Sequence, residues 1–165
     1  MKKNLGLMIP FVFAALFNSC DLFNTTVYVK FDQKTFNEQR QLWQESNINN
    51  YQYKFSASGF TVYIGTIIVE NGNFKNDIPS TEYSDSGLFM SYSSIDEVHK
   101  TIEETFVLYN NTKQSKKDFY CTDILVEYDK INHIPVKIDY RYYCPPTLAV
   151  DGTFYYEIND FAKLD

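Results

Sequence analysis

Residues 51–58, Tyr-Gln-Tyr-Lys-Phe-Ser-Ala-Ser, alternate between apolar and polar at almost every step. A period of two fits a strand with one dry and one wet face, and no helix. Elsewhere the pattern changes. A Ser/Thr-x-x-Glu capping signal occurs at Thr35-Phe36-Asn37-Glu38 and again at Ser94-Ile95-Asp96-Glu97. The first predicts a helix to about Ser46 that buries Phe36, Trp43 and Leu42 on one side. The second predicts a helix to about Tyr109, with Ile95, Val98, Ile102, Phe106 and Tyr109 in one stripe. A chain with both periods has to lay its helices on the dry face of a sheet.

Turn signals supply the remaining strands. Ser58-Gly59 leads into an apolar strand over 60–70. Asn71-Gly72 is a strong hairpin signal, because both positions tolerate positive φ. A short strand over 73–78 should return from it. Strands over 119–129 and 136–143 flank a turn at 130–135, and Asp151-Gly152 precedes a last strand over 153–158. Strands joined by short turns pair antiparallel. The predicted class is therefore α+β, with two amphipathic helices packed on an antiparallel β-sheet in the order α-βββ-α-βββ. The polar stretch 79–93 is long for a loop in a compact domain, and loops of that length are often functional.

The first twenty residues are of another kind. Lys2 and Lys3 precede an apolar run over 5–17 that ends in Leu16-Phe17-Asn18-Ser19-Cys20. That run has signal-peptide length and falls short of the roughly 17 residues a membrane span needs. Its end resembles the lipobox of bacterial lipoproteins; Ser19 matches it, while Phe17 and Asn18 depart from it. The resemblance implies cleavage before Cys20 and a lipid on the Cys20 thiol. One acyl chain binds a membrane marginally and two hold it stably. The expected organisation is a signal peptide over 1–19, a lipidated tether over 20–30 and a single α+β domain over 31–165. The expected location is exported and lipid-anchored to a bacterial membrane, on its periplasmic side or at the cell surface.

Net charge is −6, and −8 once Lys2 and Lys3 leave with the leader, which holds no acid. Nucleic acid needs a basic face, so it is not an expected partner. Fourteen Tyr and fourteen Phe suit a sheet and offer a binding surface, with Tyr140, Arg141, Tyr142 and Tyr143 as the expected contacts; the alternative is that alternate tyrosines are core and flank. An oxidising envelope makes a Cys121–Cys144 disulfide the default, with two unpaired thiols as the alternative. Direct pairing of the cysteines would set Ile124, Val126 and Tyr128 opposite Arg141, Asp139 and Lys137. Apolar matching instead puts Val126 and Tyr128 on the face of Ile138, Tyr140 and Tyr142. Both demands hold only with a bulge or an irregular strand exit. The disulfide is expected at the open end of that hairpin.

Several short motifs recur in a recognisable order. They are Leu42-Trp43, Asn50-Tyr51-Gln52-Tyr53-Lys54-Phe55, Val69-Glu70-Asn71-Gly72, Ser94-Ile95-Asp96-Glu97, Glu127-Tyr128-Asp129 and Ile134-Pro135-Val136-Lys137-Ile138-Asp139. Over residues 35–161 the chain resembles a bacterial family of small exported lipoproteins catalogued only as a domain of unknown function. It departs at Ser56-Ala57-Ser58-Gly59, where many members carry a cysteine pair, and at His133, where many have glycine. The resemblance implies an envelope lipoprotein and brings no activity with it.

Chemistry is sparse. His99 and Glu103 lie four apart on the second helix, but no third ligand is placed by the sequence and a zinc site needs more. His99 is off the apolar stripe and is expected on a solvated face; His133 is expected in a turn. No G-x-S-x-G, P-loop, H-E-x-x-H or C-x-x-C pattern occurs. No catalytic, cofactor-binding or metal-binding residue is therefore expected. The expected function is a non-catalytic binding module of the cell envelope. It would hold the membrane through its anchor and take an envelope protein, peptide or glycan as partner. The alternative is a carboxylate-dependent envelope hydrolase.

Overall fold

A computed structural model describes residues 25–58, 63–75, 91–115, 117–146 and 152–165. The leader, Cys20, most of the 79–93 stretch and the turns at Gly59 and Asp151 lie outside the described residues. The elements in chain order are β1 (Thr25–Val27), β2 (Lys30–Phe31), α1 (Gln33–Glu45), β3 (Tyr51–Ser58), β4 (Tyr63–Glu70), β5 (Asn73–Lys75), α2 (Ile95–Tyr109), β6 (Thr112–Gln114), β7 (Tyr120–Tyr128), β8 (Pro135–Tyr143) and β9 (Thr153–Lys163). Seven strands form one sheet in the order β2-β7-β8-β9-β3-β4-β5, and β1 pairs with β6 in a separate ribbon. Every pair is antiparallel except β2 with β7.

The α+β class and the two α-βββ groups are as the sequence predicts. The short strands β1, β2 and β6 are additions, too brief to show a period of two. At the hairpin between β4 and β5, Asn71 and Gly72 both have positive φ, 51° and 75°. That is the conformation the Asn-Gly pair requires.

Both helices cover one face of the sheet. Tyr51, Tyr53, Phe55 and Ala57 point into that core from β3, Ile138 and Tyr140 from β8, and Ile158 from β9. Two tyrosine hydroxyls in the core are satisfied by backbone at the start of α2. Tyr53 donates to the Tyr92 carbonyl at 2.5 Å, and the Ile95 N–H donates to the Tyr51 oxygen at 3.1 Å. Burial pushes the Tyr51 hydroxyl up to about 12.

Each helix start has a side-chain cap. Ser94 is extended and its hydroxyl accepts from the Glu97 N–H at 3.1 Å, as the capping signal predicts. Substituting Ser94 by alanine should cost about 1 kcal/mol of stability, readable as a lower urea midpoint at unchanged slope. The cap of α1 is not the predicted Thr35. Asp32 is the N-cap, accepting from the Thr35 N–H at 3.1 Å and the Thr35 hydroxyl at 2.8 Å. Those bonds hold its carboxyl below the usual carboxylate range. The helix therefore begins three residues earlier than the Thr35 signal suggests. Phe36 and Trp43 are buried as predicted, while Leu42 is exposed.

Candidate functional site on the open face of the sheet

Alternation along β8 decides which predicted contacts are available. Tyr140 is 3% exposed and faces the helices. Tyr142 shares that face, stacked on Phe119 with centroids 4.6 Å apart and edge-on to Tyr109 and Phe154. Neither is the exposed contact expected from the sequence, because even-numbered positions of β8 belong to the core. The Tyr140 hydroxyl lies by those of Tyr92 and Thr105, and burial raises its pKa strongly. Arg141 and Tyr143 take the opposite face, as required of two odd-numbered neighbours.

On that opposite face the register sets Asp139 beside Leu125 of β7 and Tyr155 of β9. Asp139 is 6% exposed although it stands on the side away from both helices. Its Oδ2 accepts from Arg141 Nε and Nη2 at 3.3 and 3.2 Å. Its Oδ1 is buried and has no hydrogen-bond partner among the described residues. A carboxylate oxygen taken from water and left unbonded is costly. Leu125 and Tyr155 remain exposed on either side of it, and Tyr120 stacks on Tyr143 at 5.0 Å. The result is a shallow platform of aromatic and aliphatic walls around an acceptor, with the Arg141 donor beside it. Asp139 and Tyr155 belong to this face and were not among the residues singled out from the sequence. Two positions from Arg141 along a strand, Asp139 shares its face, and that spacing was a usable signal.

The two cysteines are not bonded; both thiols are free. Thr122 is the extra residue of a bulge in β7, so Cys121 pairs with Tyr142, and Asp123 with Arg141. Cys144 lies two residues beyond Tyr142, past the end of β8, and so does not stand opposite Cys121. The Cys121 thiol is buried, donates to the Asp123 carbonyl at 3.4 Å, and is pushed up to about 12 by desolvation. A thiol held protonated in this way is a poor nucleophile. The middle of the hairpin follows the apolar register, with Ile124 opposite Tyr140 and Val126 opposite Ile138.

His99 also departs from expectation. It is 0% exposed and wedged edge-on to Phe36 of α1 at 5.8 Å. Neither ring nitrogen makes a well-formed hydrogen bond. Burial first, then the nearby Arg40 charge, lowers its pKa to about 4, against a weaker upward pull from the Ile95 carbonyl. It is a neutral core residue, not part of a wet helix face. His133 is a turn residue, as predicted, with φ of 61° and its Nδ1 3.0 Å from Gln39 Oε1.

A hollow of about 220 Å³ lies between β2, β7 and the start of α1, lined by Phe31, Asp32, Thr35, Ile124, Val126 and Tyr128 among others. Of its two lining carboxylates, Asp32 is engaged as a helix cap and Glu127 is paired with Lys137 at 3.7 Å. Among the described residues, no three His, Cys, Asp or Glu side chains converge as a metal site requires. No helix there is long and apolar enough to cross a membrane.

A model of a family of unknown function, DUF6174, matches residues 35–163. The chain belongs to the DUF6174 family. The match runs from the first turns of α1 to the end of β9, so it takes in both helices and all the strands that border Asp139. Comparison with curated proteins found no match, and comparison with solved structures found none. The DUF6174 name carries no activity, so function has to be sought in the residues themselves.

Proposed function

We propose that this DUF6174 protein is an exported, lipid-anchored binding module of the cell envelope that recognises its partner on the open face of the sheet. The observation that carries the binding role is Asp139: a buried carboxylate with an unbonded oxygen, between exposed Leu125 and Tyr155 and beside Arg141. A partner that lays an apolar or sugar surface on Leu125 and Tyr155, draws Arg141 aside and supplies an N–H or O–H donor to the Oδ1 so uncovered would satisfy it. Peptides and glycans both have that character. The anchor rests on the leader and Cys20.

The test is crosslinking in the native cell followed by capture and mass spectrometry, with the same data giving the mass at Cys20. Arg141→Ala should lower the yield of one captured species about tenfold, the loss of roughly 1.4 kcal/mol of binding. Glu97→Ala, on the helix side, should leave the yield unchanged. Equal capture by both variants would remove the sheet face from the binding role.

A further inference from the structure

The outward face of α2 changes character along its length. Lys100, Glu103 and Glu104 give way one turn later to Val107 and Leu108, which are 68% and 63% exposed. Tyr28, 72% exposed, is brought to the same end of the molecule. Its neighbours are fastened to the turn that closes the helix. The Asn111 N–H donates to the Val27 carbonyl at 2.7 Å, and Asn110 Oδ1 accepts from the Val29 N–H at 3.2 Å. Val27 and Val29 point inward, so Tyr28 between them points out. Two adjacent aliphatic side chains and a tyrosine thus stand exposed at one pole.

That pole is also where the chain arrives. Thr25 opens β1, and only five residue steps separate it from Cys20. A fully extended chain spans at most about 3.6 Å per residue, so an anchor at Cys20 would hold β1 within about 18 Å of the lipid. A tether that short keeps the Tyr28, Val107 and Leu108 end close to the bilayer surface. Tyrosine and branched aliphatics are suited to the boundary between headgroups and acyl chains. Exposed Lys30 stands two residues from Tyr28, and exposed Lys113 of β6 pairs with Thr26 of β1.

We infer that Tyr28, Val107 and Leu108 form a membrane-docking patch that seats the domain on the bilayer carrying its anchor. This deepens the lipid-anchor reading and depends on it. Seated so, the protein has a fixed orientation.

The test uses the full acylated protein in vesicles of phosphatidylethanolamine and phosphatidylglycerol whose acyl chains are brominated near the headgroup. Leu108→Trp places a fluorophore in the patch, and Glu97→Trp places one at the other end of the same helix. The native Trp43 is buried, and its emission is taken from the unsubstituted chain. Leu108→Trp should lose about half of its added emission or more, the depth expected of an interfacial apolar face. Glu97→Trp should lose little. No quenching of Leu108→Trp, with the acyl mass present on Cys20, would overturn the docking patch and leave the anchor standing. Absence of the acyl mass would overturn both.

Discussion

Replacing Trp43 by alanine should lower the free energy of unfolding by about 3–5 kcal/mol, the range for deleting a large buried aromatic. That is a large share of the 5–15 kcal/mol typical of a whole domain. Trp43 is 3% exposed and stands edge-on to Tyr51 and Phe161 at 5.3 and 6.1 Å. Its indole N–H donates to Asp96 Oδ1 at 3.2 Å, in the first turn of α2. One side chain therefore joins α1 to the sheet and to the second helix. Trp43→Phe keeps most of the apolar area and loses the hydrogen bond, so it should cost less than half as much. Urea unfolding followed by far-ultraviolet circular dichroism gives both values. A cost below about 1 kcal/mol for Trp43→Ala would mean that α1 is not held where the structure places it.

Acid should destabilise the fold through His99, in a window set by that residue alone. Above pH 6.5 the imidazole is neutral in both folded and unfolded chains, and its burial is uncharged. As pH falls below 6.5 the unfolded chain takes up a proton that the folded chain refuses until about pH 4. The unfolded state then binds more protons, so stability falls as pH falls. The slope is up to about 1.4 kcal/mol per pH unit, and the full loss about 3 kcal/mol. Asp32 and Asp129 also have lowered pKa values, through hydrogen bonds from Thr35 and from Asn132 respectively. Their contribution is present above pH 3.8 and disappears only below it, so it does not overlap the histidine window. Urea midpoints measured from pH 7 to pH 4 should fall steadily in the native chain. In His99→Leu they should stay nearly level over the same range. A native chain with flat midpoints down to pH 4 would contradict a buried, neutral His99.

Much of this fold is written in local patterns. The alternation from Tyr51 to Ser58, the Asn71-Gly72 turn and the Ser94 cap are each decided by neighbouring residues, and each appears as predicted. Residue roles that depend on packing between elements were not legible. His99 lies one step from Val98 and three from Ile102. Its burial follows from α1 lying alongside α2 through Phe36, which no pattern within α2 encodes. Tyr140 and Tyr142 were expected as contacts because tyrosine suits both a core and a surface, although they alternate with Lys137, Asp139 and Arg141 on the face of Ile138; that face is the one the helices cover. The Cys121–Cys144 expectation failed although β7 does bulge at Thr122, because the bulge sets Cys121 opposite Tyr142, two residues short of Cys144. Arg141 and Tyr143 kept their place on the open face. The surroundings of Asp139 come from the strands on either side of β8, which bring Leu125 and Tyr155 beside it.

The most direct test of the binding role is a photo-reactive amino acid placed in turn at Tyr155, beside Asp139, and at Glu104, on the outer side of α2. Irradiation of living cells should give a discrete crosslinked species from position 155 that is lost when Arg141→Ala is added, and no such species from position 104. Crosslinks that form equally at both positions, or that survive Arg141→Ala undiminished, would contradict a partner seated on the open face of the sheet.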